Sequence, residues 1–200
     1  MLPLHSAYGH KVVEQKPIQI PSRILTLQDD SLPAHPPFPK STRKFLINKY
    51  CPRRIRRAVW LSDAKKDCMV RPCLGRRQIQ TQADKPPPFE MFSLRNCSLC
   101  ADQMEEIGIP PSDMQQYARI MAEALAMLHW IGQMDGNGVK FVLAPPVKRR
   151  SPSAMSNVLG EHTMWMFDFD LCRKMPTNVP GVKQAVRAFW RDDIFSPSAG

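Results

Sequence analysis

Long apolar runs are missing from this 200-residue chain. No window approaches the roughly eighteen uninterrupted apolar residues that suggest a membrane-spanning helix, and the segment Met1 to His10 lacks the basic start and apolar run of an export signal. These absences argue against a membrane partner and against secretion, so we expect an intracellular protein of the cytoplasm or nucleus. Its six cysteines are accordingly expected to be reduced thiols.

Proline is over-represented instead, with 20 residues, about twice the average usage. Because proline lacks an amide proton and interrupts helices and central strands, its clusters mark connecting segments. We expect residues 1–40 to form an irregular Pro-rich arm and residues 41–200 to form a single α+β domain. Within the domain, a mobile basic loop is predicted at residues 145–161, where Pro, Ser and basic side chains replace apolar periodicity.

Apolar spacing predicts a mainly helical domain with a few short strands. The strongest pattern is a helix over residues 112–131, in which Tyr117, Met121 and Leu128 recur on one face and Ser112 with Gln115 forms a capping box. Further helices are predicted over residues 42–50, from 52, over 99–107 and over 182–190, the last with Val182, Ala185, Val186, Phe189 and Trp190 on its apolar face. Strands are predicted at 68–74, 89–94, 139–143 and 163–167.

Basic residues outnumber acidic ones by 28 to 18, which gives a net charge of +10. Such a charge favours acidic partners or nucleic acid through long-range attraction. The candidate patch residues fall in two clusters, namely Arg53, Arg54, Arg56 and Arg57, and then Lys148, Arg149 and Arg150. Since solvated faces also produce such runs, nucleic-acid binding is one alternative rather than the leading prediction.

The order of elements after residue 111 resembles the large lobe of protein kinases. There a long helix leads into a loop written H-R-D-x-x-x-x-N, a strand follows, and a second strand delivers the metal-binding Asp of D-F-G. By this resemblance Asp135 takes the catalytic-loop position, Lys140 takes the position of the magnesium-binding Asn, and Asp168 takes that of the D-F-G Asp. The resemblance implies a kinase-like large lobe.

The departures from the kinase pattern predict degenerate chemistry. Lys140 is an ammonium group that cannot ligate a cation, Asp170 replaces the Gly of D-F-G, and no G-x-G-x-x-G loop is found before residue 68. We therefore name no catalytic residue with a working role. The leading prediction is a non-catalytic module that binds another macromolecule, most simply an unknown protein partner, and a residual phosphotransferase is a further alternative.

Several strings of the chain resemble, in order, a filamentous-fungal domain family of unknown function that carries the label "zinc finger protein". They include Lys66-Asp67-Cys68-Met69-Val70-Arg71-Pro72, Phe141-Val142-Leu143-Ala144-Pro145-Pro146 and Phe167-Asp168-Phe169-Asp170. The resemblance extends over about residues 20–197. The label makes the cysteines candidates for a metal site.

Cys97 and Cys100 have the two-residue spacing of a zinc knuckle, and Cys68 with Cys73 could complete a four-thiolate set. Buried thiols in apolar segments explain the same residues without a metal. No cofactor is expected, and zinc is the alternative that remains open, including a zinc-supported nucleic-acid binder.

Overall fold

The computed structural model describes residues 26–27, 36–62, 68–77, 92–147 and 153–191. The structure is mixed α+β, as the sequence predicts. In chain order the elements are β1 (Thr26–Leu27), α1 (Lys40–Tyr50), α2 (Arg56–Leu61), β2 (Val70–Cys73), a 3₁₀ turn (Leu94–Asn96), β3 (Cys97–Cys100), α3 (Ala101–Glu106), α4 (Pro111–Trp130), β4 (Lys140–Ala144), β5 (Met155–Asn157), β6 (Gly160–Phe167) and α5 (Val179–Arg191).

The strands form one sheet in the order β1-β6-β4-β2-β3, and β5 pairs with β6 beside this path. Strands β4 and β6 are antiparallel over five residue pairs, from Lys140 with Phe167 to Ala144 with Thr163. Strands β2 and β3 run parallel. Both β4 and β6 contain a continuous run of buried residues, which is typical of strands covered on both faces.

Helix α4 supplies much of the core. Tyr117, Met121 and Leu128 are buried on it, which confirms the predicted apolar stripe. The predicted capping box at Ser112 is wrong: the helix begins at Pro111, and Pro110 at the N-cap makes no side-chain hydrogen bond. Proline suits the first turn because its φ is already helical and its missing N–H would have no helical partner there. No helix among the described residues is long and apolar enough to cross a membrane.

The strand predicted at residues 89–94 is wrong over its described part. Phe92 and Ser93 are in no regular element, Leu94 begins the 3₁₀ turn, and the strand lies at Cys97–Cys100 instead. This strand alternates buried Cys97 and Leu99 with exposed Ser98, which is the period of two expected for a strand. Residues 89–91 lie outside the described part of the chain.

A hairpin replaces part of the predicted mobile loop. Asn157 pairs with Gly160, so β5 and β6 are joined by a two-residue turn, and Leu159 in that turn is fully buried. Gly160 has a φ of +89°, which glycine adopts without strain, and Thr42 of α1 donates a hydrogen bond to the Leu159 carbonyl (3.0 Å). The prediction of a loop is therefore wrong for residues 155–161. Residues 148–152 lie outside the described residues.

Two parts of the predicted Pro-rich arm are described. Thr26 and Leu27 pair in parallel with Trp165 and Met166, and Phe38 is buried in the main core. At these two points the arm joins the sheet and the core of the domain. The remainder of the arm lies outside the described residues, and its boundary at residue 40 stays a prediction.

Candidate functional site

Asp135 lies in the turn after α4 and is buried, with 6% of its surface exposed. Its Oδ1 accepts hydrogen bonds from the backbone N–H groups of Asn137 (3.1 Å) and Arg173 (2.8 Å). Its Oδ2 accepts one from the Gln184 side chain on α5 (2.9 Å), and its own backbone N–H donates to the Arg173 carbonyl (2.9 Å). The residue thus joins three segments of the chain.

These contacts also set the charge of the Asp135 carboxyl group. Burial raises its pKa, but the hydrogen bonds from Gln184, Arg173 and Asn137 lower it by more, so the net pKa lies below the usual value. The ionised carboxylate is held by donors on both oxygens. A general base has to reach the proton that it removes, and the described contacts occupy Asp135 with structural partners instead.

Lys140 begins β4 and Asp168 follows the end of β6. The pairing of Lys140 with Phe167 brings the two side chains to the same end of the sheet, where the Lys140 Nζ forms an ion pair and hydrogen bond with the Asp168 carboxylate. Asp168 has a φ of +68°, a left-handed conformation that Asp adopts more readily than most residues. The carboxylate that the sequence resemblance assigns to metal binding is therefore paired with an ammonium group of the chain itself.

The structure brings together only some of the residues that the sequence singled out at this end of the sheet. Lys140 and Asp168 contact one another, whereas Asp135 contacts the backbone at Arg173 and the side chain of Gln184. These partners lie 38 and 49 residues further along the chain. No local spacing could have predicted them.

The candidate zinc ligands are split between the core and the end of the β2–β3 pair. Cys68 and Cys97 are buried, and burial raises the pKa of each thiol to about 12, with a smaller contribution from a neighbouring cysteine. Cys73 and Cys100 are register partners, and burial raises their pKa values as well. Cysteine binds zinc as the thiolate, so zinc binding here would have to displace the thiol protons.

Over residues 26–27, 36–62, 68–77, 92–147 and 153–191, no group of three or more His, Cys, Asp or Glu side chains is placed to hold a metal ion. All six cysteines are free thiols. The predicted set of Cys68, Cys73, Cys97 and Cys100 is therefore not assembled as a four-thiolate site among the described residues.

Three of the four arginines in the first basic cluster line a groove between α1 and α2. The groove has a volume of about 340 Å³ and is lined by Lys44, Ile47, Asn48, Arg53, Arg56, Arg57 and Trp60. Arg56 is fixed by hydrogen bonds from Nη2 to the carbonyls of Asn48 (3.0 Å) and Cys51 (3.1 Å). Arg54 is exposed but does not line the groove, and Lys148, Arg149 and Arg150 lie outside the described residues.

A buried polar chain fixes the β5–β6 hairpin to α4, and it includes His162, which lies between the predicted loop at 145–161 and the predicted strand at 163–167. His162 Nδ1 and the Gly160 carbonyl are 2.7 Å apart, so that nitrogen is the donor. Nε2 then accepts from the Tyr117 hydroxyl (2.7 Å), which in turn accepts from Asn157 Nδ2 (2.8 Å). Burial lowers the pKa of His162, against smaller effects of Gly160 and Asp113, so the ring is neutral.

A model of a domain family of unknown function, DUF3669, described as "Zinc finger protein", matches residues 164–199. This match supports the family label that the local strings suggest. The matched segment contains one cysteine, Cys172, and no histidine, so the zinc ligands implied by the label would have to come from elsewhere. Neither the curated proteins nor the solved structures include a significant match to the chain.

Proposed function

We propose that this chain is a non-catalytic module with a kinase-like large lobe, and that it works by binding another macromolecule. The proposal depends above all on the ion pair between Lys140 and Asp168. A metal-dependent phosphotransferase needs the carboxylate at the Asp168 position to hold magnesium, and here a cation of the chain itself is bound to it. Magnesium would have to displace that ammonium group before it could bind.

Asp135 supports the same function from a second position. A kinase uses the carboxylate at this point of the loop to accept the proton of the substrate hydroxyl. In this chain both oxygens accept hydrogen bonds from Asn137, Arg173 and Gln184 within a buried turn. The carboxylate stabilises the connection between α4 and α5, and no proton transfer is needed to explain its position.

Magnesium binding tests the proposal directly. Lys140→Asn removes the competing ammonium and introduces the side chain that the kinase pattern has at this position. We expect the melting temperature of the natural chain to be unchanged by 10 mM magnesium with adenine nucleotide, and that of Lys140→Asn to rise with magnesium. Lys174→Asn is the matched control, since Lys174 is an exposed lysine whose side chain has no described ion pair.

The size of the shift makes the result decisive. A ligand at a hundred times its Kd stabilises a protein by about 2.7 kcal/mol, which corresponds to several degrees. An upward shift of the natural chain with magnesium and nucleotide, or transfer of the γ-phosphate to a protein acceptor, would instead support a residual phosphotransferase.

Electrostatic nucleic-acid binding is a second candidate, and the α1–α2 groove favours it. Lys44, Arg53 and Arg57 line this groove with no carboxylate among its residues, and the indole of Trp60 is 45% exposed beside them. Cations that track phosphates and an aromatic ring that stacks on bases are the usual elements of single-strand binding.

Fluorescence anisotropy with a labelled single-stranded oligonucleotide checks this second candidate. We expect affinity to fall steeply between 50 and 200 mM salt, as counterion release requires, and to weaken in Trp60→Ala. Leu61→Ala is the control, because Leu61 is also exposed on α2 but does not line the groove. Stoichiometric zinc in the purified protein would favour the zinc-supported form of this function.

A further inference from the structure

Helix α5 buries its small residues and exposes its large ones. Successive residues of an α-helix are about 100° apart around its axis. One sector holds the buried residues Gly181, Ala185 and Ala188. The next holds the exposed apolar residues Val179, Val182, Val186, Phe189 and Trp190, and the third holds the exposed basic residues Lys183, Arg187 and Arg191.

The orientation of α5 is fixed by close contacts. A Cβ atom on Gly181 would come within 1.7 Å of the Pro176 carbonyl oxygen in the segment before the helix, so only glycine fits at this position. Gln184 donates hydrogen bonds to Asp135 and to the Lys174 carbonyl (3.2 Å). These contacts lie at the buried sector or directly beside it. The helix therefore cannot rotate its large apolar residues into the domain without breaking these contacts.

The exposed apolar sector therefore keeps Val179, Val182, Val186 and Trp190 at the surface of the domain. Val179 is 67% exposed, Trp190 53% and Val186 49%. Isolated exposed apolar residues are ordinary on protein surfaces, but here five share one side of one helix. An apolar stripe of this kind is the surface on which an amphipathic helix packs.

The basic sector indicates the charge of the partner. Lys183, Arg187 and Arg191 follow one another at intervals of four residues, and like charges at this spacing repel. None of the three forms an ion pair with a described carboxylate, and α5 itself contains no acidic residue. Asp192 and Asp193 follow in sequence and lie outside the described residues. Carboxylates of a partner would relieve the repulsion along this edge.

We propose that this face of α5, formed by its exposed apolar and basic sectors, docks an acidic amphipathic helix of a partner protein. The partner's apolar side chains would contact Val179, Val182 and Val186, and carboxylates along one edge would pair with Lys183 and Arg187. This inference rests on the proposed function, for which it names the surface and the class of partner. At about 1.5 Å per residue, the thirteen residues of α5 match a partner helix of about three to four turns.

Other occupants fit this face less well. A second copy of the chain packed antiparallel on this face would bring its basic edge against the first, and in either orientation its α5 would supply no carboxylate. Single-stranded nucleic acid stacks on aromatic rings, whereas three of the five exposed apolar side chains are valines. A helix lying in a membrane interface is favoured by cations that flank the apolar face, and here they flank one side only, because the other side continues into the packed sector of Gly181 and Ala185.

Two synthetic peptides test the docking surface. The first is a fluorescein-labelled helical peptide of sixteen residues with Leu at helical spacing and Glu along one edge, and the second is its scrambled isomer. We expect saturable anisotropy for the first with the full chain, and at least tenfold weaker binding for the scrambled isomer. Val182→Asn with Val186→Asn should weaken binding at least tenfold without lowering the melting temperature, since both side chains are exposed.

A charge exchange locates the binding site. Lys183→Glu with Arg187→Glu should abolish binding of the Glu peptide and allow binding of the same peptide with Lys in place of Glu. Arg53→Glu with Arg57→Glu, in the α1–α2 groove, is the matched control and should leave peptide binding unchanged. Equal binding of the scrambled peptide, or loss of binding only in the groove control, would overturn the proposal.

Two further experiments distinguish a partner helix from a membrane surface and from nucleic acid. Sedimentation with vesicles of phosphatidylcholine and phosphatidylserine, if it depended on Lys183 and Arg187 while the peptide did not bind, would assign the face to a membrane surface. Preferential binding of the oligonucleotide at α5 would assign it to nucleic acid. Either result overturns the docking proposal. The proposed non-catalytic function fails only if the separate magnesium and nucleotide experiment gives a shift.

Discussion

The end of the sheet at Asp135, Lys140 and Asp168 and the outer face of α5 differ in how their charges are satisfied. At the sheet end, each charged group has a partner within the chain, and Asp135 has three. On α5, three cations have no described ion pair, and Val179, Val182 and Val186 are exposed beside them. The residues that the kinase resemblance would make catalytic are thus held by partners within the chain, whereas the proposed docking surface is exposed.

The largest expected effect is at Asp135. Asp135→Ala removes the acceptor of three hydrogen bonds in a buried turn and leaves the backbone N–H groups of Asn137 and Arg173 without it, so we expect a loss of ~3 kcal/mol in the free energy of unfolding. Urea unfolding measures it. Asp170→Ala, at an exposed neighbouring carboxylate, is the control and should change stability far less. A loss below about 0.5 kcal/mol would show that the carboxylate is not structural.

A smaller effect is expected from pH, through His162. Because the pKa of His162 is lower in the folded chain than the usual 6.5, the unfolded chain binds more protons as pH falls below that value. Stability is therefore full above about pH 6.5 and decreases as the pH falls towards the folded pKa, by at most about 1.4 kcal/mol per pH unit.

Urea unfolding at pH 7.5, 6.5 and 5.5 checks this dependence. His162→Gln cannot be protonated, so its stability should be lower at pH 7.5, through loss of the contacts to Tyr117 and Gly160, and should change less between pH 7.5 and 5.5. If the natural chain and the variant lost stability in parallel, the sensitivity to acid would arise from another group.

The smallest effect on stability is expected in the α1–α2 groove, whose arginines are exposed like the basic residues of α5. Arg53→Ala with Arg57→Ala should change the free energy of unfolding by no more than about 0.5 kcal/mol per residue, because both side chains are exposed and neither has a described ion pair. Thermal melting measures it. A loss above 2 kcal/mol would place these arginines with the structural charges of Asp135 instead.

Local patterns in the sequence predicted the elements whose apolar residues recur at regular spacing, or in a continuous run, within one segment. The stripe of Tyr117, Met121 and Leu128 predicted α4, and the apolar runs around Val142 and Trp165 predicted β4 and β6. Strand β3 was missed because Leu99 was assigned to the predicted helix at 99–107, whereas that helix, α3, begins only at Ala101. Its partner in the sheet, β2, comes much earlier in the chain, so no short sequence pattern relates the two strands.

The sequence also predicted an amphipathic helix at α5, but Ala185 is the one member of its predicted apolar face that is buried. Large apolar residues were expected to pack, whereas the structure buries Gly181, Ala185 and Ala188 and exposes Val182, Val186 and Trp190. At Gly181 the reason is steric, since a Cβ atom there would come within 1.7 Å of the Pro176 carbonyl oxygen. A periodic pattern identifies an apolar arc, and a close backbone contact decides which part of it is covered.

The strand order has a consequence for how the chain is made. Strand β4 lies between β2 and β6, so β2 has no neighbour on that side until the ribosome has added about 70 further residues, which takes on the order of 4 to 14 s at usual rates of synthesis. During that interval Val70 lies on an unpaired strand edge, because its partner Leu143 has not been made. Pairing of β2 on this side therefore has to wait until β4 has been made.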